Sequence, residues 1–131
     1  MKFNQVFHPA RFNRALLQAR HQEFLTIYSE DELLKHNMYL SDDEQSGFWI
    51  SEQGEIGNLF SLNHHGADAI YAAQDVAGVW LQCFQGFLSE FYHKHGFRIT
   101  SRIPWDEAFA PPEWDYTKNG TPNVVNMHLC Y

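Results

Sequence analysis

The chain has 131 residues, 44% of them hydrophobic and 16% aromatic, which is the size and apolar content of one folded domain and excludes a disordered segment. A formal net charge of −7 argues against non-specific binding to nucleic acid or anionic membranes, which needs clustered Lys and Arg, and favours a cationic partner. No apolar run approaches the ~20 residues of a membrane span. The opening Met1-Lys2-Phe3-Asn4-Gln5 has no apolar leader stretch, and Cys83 and Cys130 lie far apart in sequence, so a reduced, cytoplasmic protein is expected.

Residues 3–7 are compatible with a leading strand. Pro9 near the start and an apolar stripe of Ala15, Leu16, Ala19, Phe24 and Leu25 predict a helix over 9–25. Ser29 followed by Glu32 is a capping box, opening a short helix through Leu33 and Leu34 to about His36. Residues 38–40 and 48–50 are β-prone and joined by the polar turn 41–47; Gln53-Gly54 is a further turn, and 55–62 follows as a third strand of an antiparallel meander. Within it, Ile56, Asn58, Phe60 and Leu62 are expected on one face, with Glu55, Gly57, Leu59 and Ser61 on the other.

After the turn 63–66, Asp68 is the expected N-cap of a helix with Ala69, Ala72, Ala73 and Val76 on one stripe, ended by Gly78. Residues 79–84 are apolar except for Gln82, as in a central strand covered on both faces. Phe87, Leu88, Phe91 and His95 recur at helical spacing over 86–95; Gly96 ends that helix, and a strand runs from Phe97 to about Ile103. Residues 104–122 hold four prolines together with Trp105, Phe109, Trp114 and Tyr116, and read as a long functional loop. Residues 123–130 alternate as a last strand. The sum is an α/β domain spanning 1–131, with a mixed, mostly antiparallel sheet of six or seven strands flanked by helices.

The order Phe91-Tyr92-x-x-x-Gly96-Phe97, placed after a strand–turn–helix–strand unit, resembles the last helix of the GCN5-related N-acetyltransferases (GNAT). In character the chain is similar to the short members carried by bacteriophages. The resemblance covers 47–131, and the whole chain if the two N-terminal helices are counted. It implies a V-shaped split between the two central strands at 55–62 and 79–84, with acetyl-CoA as co-substrate in the cleft. The backbone of Leu59, Phe60, Ser61 and Leu62 would hold the acetyl and pantetheine groups. The pyrophosphate would sit on the turn and helix start at His65, Gly66, Ala67, Asp68 and Ala69. Free N–H groups and the helix dipole make such a terminus an anion site. Tyr92 corresponds to the tyrosine that protonates the departing thiolate, a task suited to a phenol that keeps its proton at neutral pH.

The family loop leads with Gln or Arg and carries a second small residue. This chain reads Asn63-His64-His65-Gly66-Ala67-Asp68-Ala69, keeping Gly66 but lacking the basic lead. Asp68 beside a phosphate would cost about 4 kcal/mol at ~4 Å and an effective dielectric near 20, unless it turns to cap its own helix.

Glu55, on the strand leading into the cleft, is a candidate general base, as are His64, His65, Glu113 and Asp115. Trp105, Trp114, Asp115 and Tyr116 would wall the pocket for a primary-amine acceptor, with Asp106, Glu107 and Glu113 adding negative charge. The structural alternative is that these rings fold over the sheet. Neither His64 with His65 nor His93 with His95 shares a helix face, and no zinc motif is present, so no metal is expected. Cys83, inside a strand, reads as inert. The rival function is a catalytically inactive module or inhibitor of the same fold, with a degenerate CoA loop and Trp105, Trp114 and Tyr116 anchoring a basic protein surface.

Overall fold

A computed structural model describes residues 2–18, 27–61, 66–110 and 114–130. Seven strands form one sheet: β1 (Phe3–Val6), β2 (Asn37–Ser41), β3 (Ser46–Ile50), β4 (Glu55–Ser61), β5 (Trp80–Phe84), β6 (Phe97–Ile103) and β7 (Val124–Leu129). Their spatial order is β1-β2-β3-β4-β5-β7-β6. The front strand and the meander follow the sequence pattern. The single parallel pair is β4 with β5. A parallel neighbour needs a crossover, and the helix α3 (Gly66–Asp75) supplies it.

Helices α1 (Pro9–Leu16) and α2 (Glu30–Leu33) lie on one face, and α3 and α4 (Phe87–Lys94) on the other. Alternation along the strands builds two cores. On the first face Phe12, Leu16 and Leu33 pack against Met38, Leu40, Trp49 and Phe60. On the second, Ala69, Ile70 and Ala73 of α3 and Tyr92 of α4 pack against Phe48, Ile50, Ile56, Leu81, Phe97, Val125 and Met127. All five residues of β3 are buried, because that strand has helices against both of its faces.

Several expectations are corrected. Helix α1 ends at Leu16, where its last turn closes on Leu17; Ala19, Phe24 and Leu25 lie outside the described residues. Ser29 does open α2, its Oγ accepting from the Glu32 N–H at 3.2 Å. Helix α3 starts at Gly66, so Asp68 lies in its first turn and is not its N-cap, where a carboxylate still suits the helix dipole. At the other end Ala77, with φ 68°, takes the left-handed position, while the Gly78 N–H returns to the Ala73 carbonyl at 2.8 Å. Among the described residues no helix covers the second face of β5 as a whole: Leu81 is buried, Gln82 is exposed, and on that face only Phe84, at the far end, is covered, by Trp105 and Trp114. The cause is that α1 and α2 reach no further than the β1–β4 half. The stretch 104–122 is not structureless. It holds a 3-10 turn at Glu107–Phe109, capped by Asp106, and a short helix α5 (Tyr116–Asn119), capped by Asp115.

Candidate active site

The site begins where β4 leaves β5. The two strands pair only at Glu55↔Trp80 and Ile56↔Leu81, and a tie from the Val79 N–H to the Gly54 carbonyl at 2.9 Å closes that end. Beyond Ile56 the pairing stops and the strands diverge into a V.

The even alternation expected along 55–62 does not hold. The β3–β4 register runs Gly47↔Phe60 and then Trp49↔Gly57, so Phe48 faces two residues, Asn58 and Leu59. This is a β-bulge, and Asn58 in it has φ 46°. Parity therefore flips within the strand. Ile56 and Leu59 pack in the α3/α4 core, whereas Phe60 packs in the α1/α2 core. The Trp49 Nε1–H donates to Asn58 Oδ1 at 2.9 Å. Position 57 must be glycine, since a Cβ there would lie 1.9 Å from Trp49 Cζ2.

Helix α3 starts at Gly66, five residues after β4 ends at Ser61. Gly66 makes a close approach: a Cβ there would meet Phe91 Cζ of α4 at 3.3 Å. Ala67 is half-buried, Ala69 is buried and Asp68 is exposed. Leu62, His64 and His65 lie outside the described residues. Across the α3/α4 seam the Tyr71 hydroxyl bonds His95 Nδ1 at 3.2 Å, and burial followed by the neighbouring Lys94 charge lowers the His95 pKa.

Tyr92 sits on the inner face of α4, 7% exposed, with its ring against Phe91 and edge-on to Phe97. Burial, with a contribution from Cys83, pushes its phenol above the ordinary range. Cys83 lies on β5 past the point where the β4 pairing ends, and it packs in the same core as Tyr92. The Cys83 thiol is itself pushed up to about 12 by burial, which leaves it neutral and weakly nucleophilic. Glu55 occupies the opposite face: its neighbour Ile56 is in the α3/α4 core, so Glu55 projects to the side that carries Trp80. It is half-buried, and desolvation raises its pKa.

The loop aromatics gather beyond the far end of β5. Phe84 lies 4.9 Å from Trp114 and 6.1 Å from Trp105; Trp105 lies 5.2 Å from Trp114 and 5.9 Å from Tyr116, centroid to centroid. Trp114 is buried and donates its indole N–H to the Gly120 carbonyl at 2.9 Å. Tyr116 is exposed, and the Trp105 indole nitrogen is buried without a hydrogen-bond partner among the described residues. Asp115 commits one oxygen to the Lys118 N–H as the α5 cap. The rings thus pack at tilted and edge-on angles on one another and on Phe84 of the sheet. Glu113 lies outside the described residues.

Period-2 reasoning on the sequence does not single out Trp49 and Asn58. A signal is present: Gly57-Asn58 interrupts a strand pattern, and both residue types favour a bulge over a regular ladder. Among the described residues no cluster of three or more His, Cys, Asp or Glu could hold a metal, and no helix is long and apolar enough to cross a membrane.

The same architecture occurs in solved acetyltransferases over nearly the full length of both chains. An IAA acetyltransferase from Bacillus cereus matches with a TM-score of 0.64 at 17% identity, covering 98% of this chain and 97% of that one. An acetyltransferase of Bacillus subtilis in complex with CoA matches with 0.63 at 18% identity, covering 99% and 98%. A GNAT family acetyltransferase from Elizabethkingia anophelis with acetyl-CoA bound matches with 0.58 at 20% identity, covering 98% and 97%. No protein-family profile and no curated protein matches the sequence. By its seven-stranded open sheet and these neighbours, the chain has the GNAT acetyltransferase fold.

Proposed function

We propose that the protein is an N-acetyltransferase that moves the acetyl group of acetyl-CoA to a primary amine, on a small molecule or a protein lysine. The observation that carries this reading is the split sheet, with the buried phenol of Tyr92 on the α3/α4 face and the desolvated carboxyl of Glu55 on the other face, at the paired end from which the split opens. The neighbours bound to CoA and acetyl-CoA support it by likeness of fold. The cleft suits the co-substrate: β4 has no β5 partner beyond Ile56, and the N-terminus of the ten-residue α3 opens nearby. The backbone of 59–62 would hold the acyl and pantetheine end, and that of 65–69 the pyrophosphate.

Acetyl-CoA supplies an activated acyl carbon as a thioester, so transfer forms an N–C bond and releases a thiol. Glu55, with its raised pKa, takes the proton of the attacking ammonium through water. Tyr92 keeps its phenolic proton throughout the neutral range and delivers it to the departing sulfur. The two lie on opposite faces of the sheet, Glu55 at the paired end from which the split opens, so the base reaches the amine through water. Holding both reactants there in line supplies much of the rate. Trp105 and Tyr116, with Trp114 and Asp115 behind them, border the acceptor side next to Phe84. Net charge of −7 favours a cationic acceptor, either a free amine or a basic protein surface. The free thiols of Cys83 and Cys130 suit a reducing, cytoplasmic setting, with the whole chain acting as one domain and resembling the short phage-borne acetyltransferases.

Isothermal titration calorimetry with acetyl-CoA is the decisive experiment. Saturable one-to-one binding is expected, and the absence of heat at millimolar ligand would end the enzyme reading in favour of a cofactor-free binding module.

A further inference from the structure

Asn58 is the one non-glycine residue in a described strand with a left-handed φ, a conformation that Asn tolerates better than most side chains. Trp49 is a partner that holds it there. The indole N–H of Trp49 bonds the Asn58 carboxamide at 2.9 Å, and its six-membered ring lies against Gly57, filling the space where a Cβ would stand. The indole is itself immobilised. His36 stacks on it at 4.2 Å with planes 13° apart, and Tyr28 meets it edge-on at 5.7 Å. Trp49 is 3% exposed. The last residue of β4 paired with β5 is Ile56, immediately before Gly57. The bulge and the divergence of the two strands therefore coincide.

We propose that Trp49 and Asn58 are positioning residues that lock the β4 bulge in one conformation. The lock sets both the point at which β4 leaves β5 and the direction of the backbone groups of 59–61 in the cleft. It rests on the acetyltransferase reading for its functional half, but its structural half stands on the contacts alone. A regular strand would carry Asn58 to the α3/α4 face with Ile56 and would leave nothing to stop continued pairing with β5. With the lock in place Leu59 takes that face instead, and β4 beyond Ile56 does not pair with β5.

The test compares Asn58→Gly, Asn58→Asp and Trp49→Phe in the full chain. Glycine permits the backbone angle but removes the acceptor. Aspartate also tolerates the left-handed region and restores an oxygen for the indole. The Trp49→Phe variant keeps an aromatic ring without the donor. Loss of one hydrogen bond that orients the site is expected to weaken acetyl-CoA binding about tenfold in Asn58→Gly and in Trp49→Phe. Asn58→Asp should stay within about twofold of wild type, and the double variant Trp49→Phe/Asn58→Gly should be no weaker than either single one. Amide hydrogen exchange of residues 59–61 in the free protein should accelerate in the same two variants and not in Asn58→Asp. Unchanged exchange overturns the lock, and accelerated exchange with unchanged affinity overturns its positioning role. Should Trp49→Phe fail to fold, the Asn58 pair decides. If the wild-type protein binds no acetyl-CoA, the enzyme reading and the positioning role fall together, while exchange still judges the lock.

Discussion

Replacing Tyr92 by Phe removes one oxygen and leaves the ring, and the structure limits what else can change. The Tyr92 ring lies 5.3 Å from that of Phe91 and 6.1 Å from that of Phe97, contacts that a phenyl ring keeps. With the side chain 7% exposed, the deletion opens no more than a hydroxyl-sized space. Among the described residues the hydroxyl has no hydrogen bond to lose, so the stability change should stay within about 1 kcal/mol, or roughly 4 °C of Tm in a domain of this size. A general acid contributes about 10²–10⁴-fold, so kcat should fall at least about 100-fold, or ~2.7 kcal/mol of barrier. Affinity for acetyl-CoA should change by less than about twofold, because the phenol is needed for the leaving thiolate and not for the ground state. Since burial and then Cys83 raise the Tyr92 pKa, wild-type kcat should show no descending limb from this group below about pH 10. Steady-state thiol release at saturating amine, with calorimetry and a thermal melt on the same preparations, measures all three quantities. A parallel loss of turnover and affinity, or unchanged turnover with a lowered Tm, would refute the role and return Tyr92 to the core.

Glu55→Gln should abolish the acid limb of the rate profile: a base works deprotonated, so wild-type turnover rises with pH through a Glu55 pKa lying above the ordinary glutamate value. The same raised pKa means that the native state binds the proton more tightly than the unfolded chain. The stability it contributes is fully present below the unfolded pKa and lost as pH rises through the folded one, so Glu55→Gln should melt higher than wild type at neutral pH. A thiol alkylated at pH 8 should be Cys130, which is exposed; Cys83, half-buried and pushed up to about 12, should react only on unfolding, as peptide mapping by mass spectrometry would show.

The parts of the fold legible in the sequence are those governed by local chemistry. Ser29 with Glu32, the helical stripe ending at Gly96, and the β-prone runs at 38–40 and 48–50 specify their elements within a few residues, and the GNAT-like order of those elements carries the topology. Coverage of a face is different, because it depends on distant segments. An apolar run such as 79–84 looks two-sided in sequence, yet Gln82 is exposed and no β5 residue joins the α1/α2 core, since those helices stop over the other half of the sheet. The same limit applies to the loop at 104–122. Its prolines announce irregular backbone, but the capping by Asp106 and Asp115 and the packing of Trp105 and Trp114 on Phe84 join residues up to thirty positions apart.

At the site itself the illegible step is a change of parity. Period-2 reasoning assigns every residue of β4 to a face, and one inserted residue reverses all later assignments. Ile56 and Phe60 look like partners on one side of a strand and instead belong to different cores. The reversal needs a residue tolerant of positive φ, a neighbour without a Cβ and a partner to hold both. Asn58, Gly57 and Trp49 are those three, but Trp49 is eight and nine positions away from the residues it fixes. Glycine and asparagine inside a strand are each weak evidence. Together, opposite a tryptophan on the adjoining antiparallel strand, they mark the point at which a sheet can be made to open.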